Sequence, residues 1–261
     1  MKKSVLFICA DQWRWDCFGF MGHKNAHTPN IDKLVSRSTA FRKHFTGIVP
    51  CGPARTTMLT GLYPFIHRSV CNGTPLDNRF TNLPLEARKL GYQPSLYGYT
   101  DTSYDPRGLE DNDPRLFTYE SPMNGFDPVC LLPEGNPEPW AEHLRQHGYE
   151  DVKSHELYNS RLAKKGEGFV YKAWEIPTEL SDTSFLADRA AADLQNAKEP
   201  FFMHVSFLRP HPPLFVSEPW HSLIDPKNIK PPITHNTKQE MTNHHPVLKN
   251  MMAKYDEKNS Y

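Results

Sequence analysis

The sequence has no excess charge of either sign and no long apolar run. Its 261 residues carry 30 Lys and Arg against 30 Asp and Glu. A balanced charge argues against nucleic acid or an anionic membrane surface as a partner. The apolar run after Met1-Lys2-Lys3 stops at Ala10, which is too short for a signal peptide or a membrane span. We therefore expect a cytoplasmic protein with no membrane and no nucleic-acid partner.

Cysteines are few, and their spacing matches neither a metal finger nor a disulfide framework. The five are odd in number and scattered, so they indicate free thiols in a reducing compartment, one of which has a special role. Proline is not scarce: there are 24, accompanied by 12% aromatic residues. That combination predicts many irregular loops rather than disorder.

The length allows one large α/β domain or two small ones. Apolar stretches predict strands at Val5–Ala10, which we expect to be covered on both faces, at Pro94–Thr100 and at the segment ending at Phe207. Capping residues and apolar spacing predict helices after Thr28 with Pro29 first, at Thr81–Leu90, Glu138–His147 and Thr237–Tyr255, and after the N-cap Ser181. We expect a single domain over residues 1–261, with a central, mostly parallel or mixed sheet flanked by helices and a loop-rich excursion at about 103–180.

The stretch Cys51–Gly61 combines a thiol, turn residues and a short helix. Pro53 suits the first helical position and Gly61 suits the end of the helix. Cys51 would then lie at a helix N-terminus that favours an anion, and Arg55 adds a guanidinium shaped for a tetrahedral oxyanion. The alternative is a buried, inert cysteine. A tyrosine-phosphatase loop is excluded, because it needs five residues between Cys and Arg and this chain has three.

This window resembles the Cys-x-Pro-x-Arg signature of the sulfatase family, within the alkaline-phosphatase-like superfamily. Asp11-Gln12-Trp13-Arg14 resembles the opening of that fold, and Thr28-Pro29-Asn30-x-Asp32 resembles a phrase that precedes the cysteine. The resemblance implies that Cys51 is oxidised to formylglycine, whose hydrate supplies the nucleophilic hydroxyl. It also implies a divalent metal (Ca, Mg or Mn) bound by Asp11 and position 51. Read alone, Asp11 is an ordinary loop cap.

Several positions resemble the phosphonate monoester hydrolase and phosphodiesterase branch of the family. Ala10 replaces one of two tandem acidic residues, and Tyr99 and Asp101 replace a Lys and a His that contact sulfate. The less positive pocket favours a singly charged diester or phosphonate monoester. The resemblance implies that four side chains contact the substrate: Gln12, Asn72, Tyr99 and Asp101. Asn72 with Gly73 is also an ordinary turn signal.

His211 lies in a proline-rich loop after the last predicted strand, where sulfatases place a His-Pro element. The resemblance makes His211 the general acid and Arg55 an oxyanion stabiliser, whereas His204 is expected to be a core residue. A lone His among prolines is otherwise a loop residue. No Asp-His or Asp-Asn pair follows His211 to complete the metal site, so we expect the N-terminal portion of an alkaline-phosphatase-like fold that is C-terminally incomplete. Residues 1–261 alone are therefore expected to bind metal weakly and to turn over little or nothing.

The sequence thus predicts a metal-dependent hydrolase of sulfuric or phosphonate esters that uses formylglycine 51. Its expected partners are a small anionic ester and a formylglycine-generating maturase, and self-association into a homo-oligomer is also expected if sheet edges stay uncovered. Three alternatives remain open. They are a phosphodiesterase that uses unmodified Cys51, a fragment that keeps only the fold, and a structural or interaction role.

Overall fold

The computed structural model describes residues 2–158, 172–197, 200–231 and 237–254. Four strands form one sheet: β1 (Val5–Ala10), β2 (Pro94–Gly98), β3 (Asp127–Leu131) and β4 (Phe202–Phe207). Their order is β1-β4-β2-β3, and every neighbouring pair is parallel. The predicted parallel α/β sheet is confirmed among these residues.

The described α-helices are α1 (Pro29–Val35), α2 (Cys51–Thr60), α3 (Pro64–His67), α4 (Leu83–Lys89), α5 (Glu138–Gln146), α6 (Asp182–Gln195), α7 (Lys238–His244) and α8 (Pro246–Lys254). Short 3₁₀ helices lie at Gly19–Met21, Pro114–Phe117, Ser154–Glu156, Thr178–Leu180 and Pro226–Asn228. None of the helices in the described ranges has the length and apolarity needed to cross a membrane.

Apolar side chains cover the two faces of the sheet in two clusters. Along β2, Leu96 belongs to the cluster with Leu59 of α2 and Phe202, whereas Tyr97 belongs to the cluster with Leu186 of α6. This alternation follows from the two-residue period of a strand. The two central strands, β2 and β4, are therefore held from both sides, and their carboxyl ends are fixed in position.

The first strand is less covered than the sequence predicts. Val5, Leu6 and Ile8 are 36%, 43% and 57% exposed. The reason is that β1 is an edge strand that pairs only with β4, and no element of the described residues packs over the face that carries Leu6 and Ile8. The prediction of a strand is right, and the prediction of burial on both faces is wrong.

The segment at 103–180 contains the predicted helix α5 and one strand that was not predicted. It contributes β3, which pairs with β2 at the other edge of the sheet, and α5, whose Trp140 and Leu144 are fully buried. The sequence analysis missed β3 because Asp127 and Pro128 lie inside it, and both are rare in central strands. Pro128 is tolerated since this strand lies at the edge.

Most predicted helix boundaries are right to within two residues. Ser181 caps α6 by accepting a hydrogen bond from the Ser184 N–H, as predicted. The predicted helix over 237–255 is wrong, because the chain forms α7 and α8 with a break at His245. Pro246 disfavours a helical conformation at the residue before it, which explains the break.

Candidate active site

The carboxyl ends of three neighbouring parallel strands gather the predicted site residues. Asp11 follows β1, Tyr99 and Asp101 follow β2, and His211 follows β4 after three intervening residues. Strand pairing places Ala10 beside Phe207, and Gly98 beside Ser206, so the three strand ends are level. Sites of open α/β sheets form at this edge.

Cys51 is the first residue of α2, two residues earlier than the sequence predicts. Pro53 therefore stands third in the helix, where its missing N–H is still not needed. The Gly52 N–H donates to the Asn72 Oδ1 at 2.8 Å. A Cβ on Gly52 would approach the Asp101 carbonyl oxygen to 3.2 Å, so a larger residue would have to displace a neighbour. Asn72, predicted to contact substrate, accepts a hydrogen bond at the start of this helix.

Arg55 is 4% exposed and lies beneath the site. Its Nη1 donates to the Tyr99 carbonyl oxygen at 3.2 Å and to the Ser206 Oγ at 2.8 Å. Its Nη2 lies 3.5 Å from the Asp11 Oδ2 and makes no hydrogen bond within the described residues. The guanidinium thus brings a fixed positive charge next to Asp11, with one nitrogen that still lacks a hydrogen-bond acceptor.

Tyr99 contacts Asp11. Its hydroxyl donates to the Asp11 Oδ2 at 2.5 Å, and its ring lies under the Arg55 guanidinium at 4.2 Å. Burial raises the pKa of Tyr99 well above its usual range, because a phenolate would lie in a poorly solvated place next to Asp11. Tyr99 is therefore a neutral donor that orients the carboxylate of Asp11.

Asp101 has an unusual backbone and an unpaired oxygen. Its φ is +53°, in the left-handed region that is strained for a residue with a Cβ. Its side chain is buried, and Oδ1 has no hydrogen-bond partner among the described residues. Burial raises the pKa of Asp101 to about 6, although Arg55 opposes the shift. Strain and an unpaired carboxyl oxygen at one residue are typical of functional sites.

Three side chains converge as a candidate metal-binding group: Asp11, Cys51 and His211. Their ligand atoms all lie within 4.8 Å of one another. The sequence predicted Asp11 and position 51 as metal ligands and His211 as a general acid. The structure places His211 in the same cluster, so the imidazole lies close enough for either role. Gln12 lies at its border, with Nε2 4.0 Å from the Cys51 Sγ.

The thiol of Cys51 is not set up as an anion, contrary to the expectation from its helix N-terminus. Burial raises its pKa to about 11, and the nearby Asp11 carboxylate adds to the rise. An unmodified Cys51 is therefore a neutral thiol at pH 7 and a poor nucleophile.

Two residues of the site were missed by the sequence analysis. Ser206 accepts from Arg55, and Glu120 is a partly buried carboxylate whose oxygens accept the N–H groups of Glu134 and Gly135. Burial raises the pKa of Glu120. A polar residue near the carboxyl end of an apolar strand was the available signal for Ser206. Glu120 lies in an irregular loop, where no pattern distinguishes it.

A cavity of about 410 Å³ adjoins His211 on the side of α6. Six of its fourteen lining residues are aromatic or aliphatic, including Trp174, Phe215 and Trp220. Polar residues complete the wall, including 181–184 at the start of α6. Pockets of this size and character accept small organic groups.

Known proteins resemble this chain in sequence and in structure. The family model described as Sulfatase matches residues 3–261. The phosphonate monoester hydrolase of Agrobacterium radiobacter superposes with a TM-score of 0.89 at 41% identity, over 95% of this chain and 49% of its own. The corresponding enzyme of Silicibacter pomeroyi gives 0.88 at 37% identity, over 98% and 51%.

Among curated proteins, the multifunctional alkaline phosphatase superfamily protein PehA of Trinickia caryophylli is 37% identical over 255 residues. That alignment covers 95% of this chain and 49% of PehA. The chain therefore spans about half the length of the relatives it matches. The fold and the group of relatives expected from the motifs are both confirmed.

Proposed function

This chain belongs to the sulfatase family, and from that premise we propose that it carries the nucleophile-bearing half of an ester hydrolase site. The proposed substrates are phosphonate monoesters and phosphodiesters, with sulfate esters as the alternative. One observation carries the proposal: Asp11, Cys51 and His211 converge within 4.8 Å at the carboxyl edge of the sheet, beside the buried Arg55. A carboxylate, an imidazole and a residue at a helix N-terminus suit a hydrolytic centre.

The donor set fits a divalent cation best if Cys51 is oxidised. A carboxylate, an imidazole and a thiol suit Zn²⁺, whereas the oxygens of a hydrated aldehyde suit the harder Ca²⁺, Mg²⁺ or Mn²⁺. Asp11 and position 51 would hold the ion, because Tyr99 and Arg55 both approach the Asp11 Oδ2 and leave Oδ1 available, and the His211 ring beside them is kept as the proton donor. The bound cation would lower the pKa of the attacking hydroxyl and offset negative charge.

A formylglycine at position 51 would supply, as its hydrate, the nucleophilic hydroxyl, and it would release the bound acid by returning to the aldehyde. This modification removes the difficulty that the thiol pKa of about 11 creates for an unmodified Cys51. The raised pKa of the Cys51 thiol therefore favours formylglycine over an unmodified thiol as the nucleophile. A formylglycine-generating maturase follows as a partner, and the five free cysteines support a cytoplasmic location.

The remaining roles follow from the contacts. Tyr99 donates to Asp11 and so fixes its carboxylate. Arg55 supplies positive charge to the developing oxyanion, and its Nη2 makes no hydrogen bond among the described residues. His211 donates a proton from its ring to the departing oxygen, and the leaving group extends toward the cavity beside it. The other predicted substrate contacts, which are Gln12, Asn72 and Asp101, border the substrate position in this proposal.

Charge decides between substrate classes. Asp101 brings a carboxyl group, and Tyr99 a neutral phenol, to positions where we expected cations in typical sulfatases. A doubly charged monoester should therefore bind less well than a singly charged ester. One charge-assisted contact is worth about 1.5–3 kcal/mol, or roughly ten- to a hundredfold in rate.

The test is a panel of p-nitrophenyl esters, assayed with a protein that contains this chain and both halves of the site, co-expressed with a maturase and supplied with Mn²⁺, Mg²⁺ or Ca²⁺. We expect p-nitrophenyl phenylphosphonate and bis-p-nitrophenyl phosphate to exceed p-nitrophenyl phosphate by about tenfold or more. Cys51→Ala should abolish turnover, whereas Cys17→Ala, which lies outside the cluster, should not. Dominant turnover of the phosphate monoester, or full activity of Cys51→Ala, would overturn the proposal.

A further inference from the structure

The loop that carries His211 cannot hold its own shape through backbone pairing. β4 ends at Phe207, and Pro210, Pro212 and Pro213 have no N–H to donate. The His211 N–H donates to the Leu208 carbonyl oxygen at 3.0 Å, which closes one turn. The position of the imidazole next to Cys51 must therefore depend on side-chain contacts.

Arg209 supplies those contacts from within the same loop. Its Nη1 donates to the His211 carbonyl oxygen at 3.3 Å and, through a short hydrogen bond, to the Pro213 carbonyl oxygen. The carbonyl oxygen of the intervening Pro212 accepts from the His211 Nδ1 at 2.5 Å. A carbonyl oxygen can only accept, so Nδ1 carries a proton. Donation to a leaving group therefore uses Nε2, which carries the second proton when the ring is an imidazolium.

The Arg209 guanidinium is itself fixed in place. Its Nε lies 3.1 Å from the Asp182 Oδ2, and the two side chains are only 15% and 5% exposed. Asp182, the first residue of α6, also accepts from the Tyr158 hydroxyl at 2.9 Å. The Tyr158 and Trp174 rings lie 5.3 and 5.2 Å from the guanidinium carbon. A planar guanidinium with a carboxylate partner and aromatic neighbours loses little freedom when it binds two carbonyls.

We propose that Arg209, anchored by Asp182 and Tyr158, is a positioning residue for His211. It does not touch the reacting atoms. It joins the N-terminus of α6 to the His211 loop and so holds the imidazole beside Asp11 and Cys51. The inference rests on the proposed role of His211 as proton donor to the leaving group. It adds a residue that carries no part of the sulfatase signature.

The kinetic test uses Arg209→Lys, which keeps the charge but lacks a fork that can serve a carboxylate and two carbonyls together. Misplacement of a proton donor should lower kcat most for esters whose leaving group needs protonation. We expect kcat for phenyl phenylphosphonate to fall about a hundredfold, and kcat for the p-nitrophenyl ester to fall by less than about tenfold. Loss of folded protein alone would lower both equally.

The matched control is Arg189→Lys on α6, the helix that begins with Asp182. Arg189 is 57% exposed, and its Nε lies 3.8 Å from Asp193 in a surface pair. This variant should match the wild type on both esters. Equal losses on both esters in Arg209→Lys, or none, would overturn the inference while leaving the proposed hydrolysis intact.

A second readout does not depend on turnover. In a crystal structure of Arg209→Lys, we expect the His211 ring to lie outside the 4.8 Å distance that now joins it to Asp11 and Cys51. If Arg209→Lys does not fold, Tyr158→Phe removes one hydrogen bond to Asp182 and should give a smaller effect in the same direction. An unmoved His211 ring in the variant that folds would refute the inference. Failure of the wild type to cleave any ester would instead refute the proposed function.

Discussion

Asp101→Asn should stabilise the protein at neutral pH. The usual pKa of an aspartate is 3.8, and burial raises that of Asp101 to about 6. The unfolded chain therefore releases its proton near pH 3.8, whereas the folded chain holds the proton until about pH 6. Between these values the folded state binds more protons, so its stability falls as pH rises and remains lowered above pH 6.

The magnitude follows from the size of the shift. A difference of about 2 pKa units corresponds to about 3 kcal/mol, and we expect asparagine to recover about 1–3 kcal/mol of unfolding free energy at pH 7. The substitution does not change the φ of +53° at position 101, so the destabilisation due to backbone strain stays the same. At pH 4 the carboxyl is mostly protonated in the folded state, and the gain should largely disappear.

Urea unfolding of wild type and variant at pH 4 and pH 7 measures this difference directly. Asp105→Asn is the matched control, since Arg107 holds the pKa of Asp105 below its usual range. The control should lose stability at both pH values, because the stability linked to a lowered pKa is lost only as pH falls below the usual value of 3.8. A pH-independent effect of Asp101→Asn, or a loss confined to pH 7, would refute the reasoning.

Three further predictions concern the site and the sheet beneath it. Burial lowers the pKa of His204 to about 4. The free energy of unfolding should therefore fall by about 3 kcal/mol as pH drops from 6.5 to 4. Urea unfolding of His204→Gln should show no such dependence on pH. Tyr99→Phe removes a hydrogen bond to Asp11 and should weaken Mn²⁺ affinity about tenfold, as measured by calorimetry. Unchanged affinity would contradict the proposal that Tyr99 orients the Asp11 carboxylate. Gly98→Ala should lower the free energy of unfolding by at least about 2 kcal/mol, which thermal unfolding measures. The φ of Gly98 is +93°, and a Cβ there would lie 1.9 Å from the Ser206 carbonyl oxygen. An unchanged unfolding midpoint would show that β2 and β4 can move apart to make room.

Local signals in the sequence predicted the central fold well. Ser181 was predictable as the N-cap of α6, because a serine before apolar residues with a period of 3.6 is a strong signal for a helix start. β4 was recognisable as an apolar run bounded by Pro200 and a proline-rich loop. These elements agree with their local propensities, and their burial in the core reinforces the same choice.

Features that depend on distant neighbours could not be predicted. The burial of β1 depends on which element covers it, and that information lies outside its six residues. The pKa of Cys51 depends on burial and on Asp11, 40 positions away. The sequence indicates a turn residue or a substrate contact at Asn72. Its hydrogen bond with the Gly52 N–H at the start of α2 becomes visible only in the folded chain.

The positions of the site residues were predictable because parallel strands share one carboxyl edge. Asp11, Asp101 and His211 each follow a predicted strand. Their convergence with Cys51 required the helix that begins at the signature motif. The sequence could not show that Arg209 and Asp182 support His211, since that contact joins a loop to a helix terminus 27 residues earlier.

The most direct test of the proposed chemistry is the mass of the tryptic peptide His44–Arg55, which contains Cys51 as its only cysteine. In protein co-expressed with a formylglycine-generating maturase, we expect the mass of an aldehyde in place of the thiol, together with loss of alkylation at this position. Protein made without a maturase should show an alkylated cysteine in the same peptide. A fully alkylated Cys51 in co-expressed protein that cleaves phosphonate esters would contradict the proposed nucleophile.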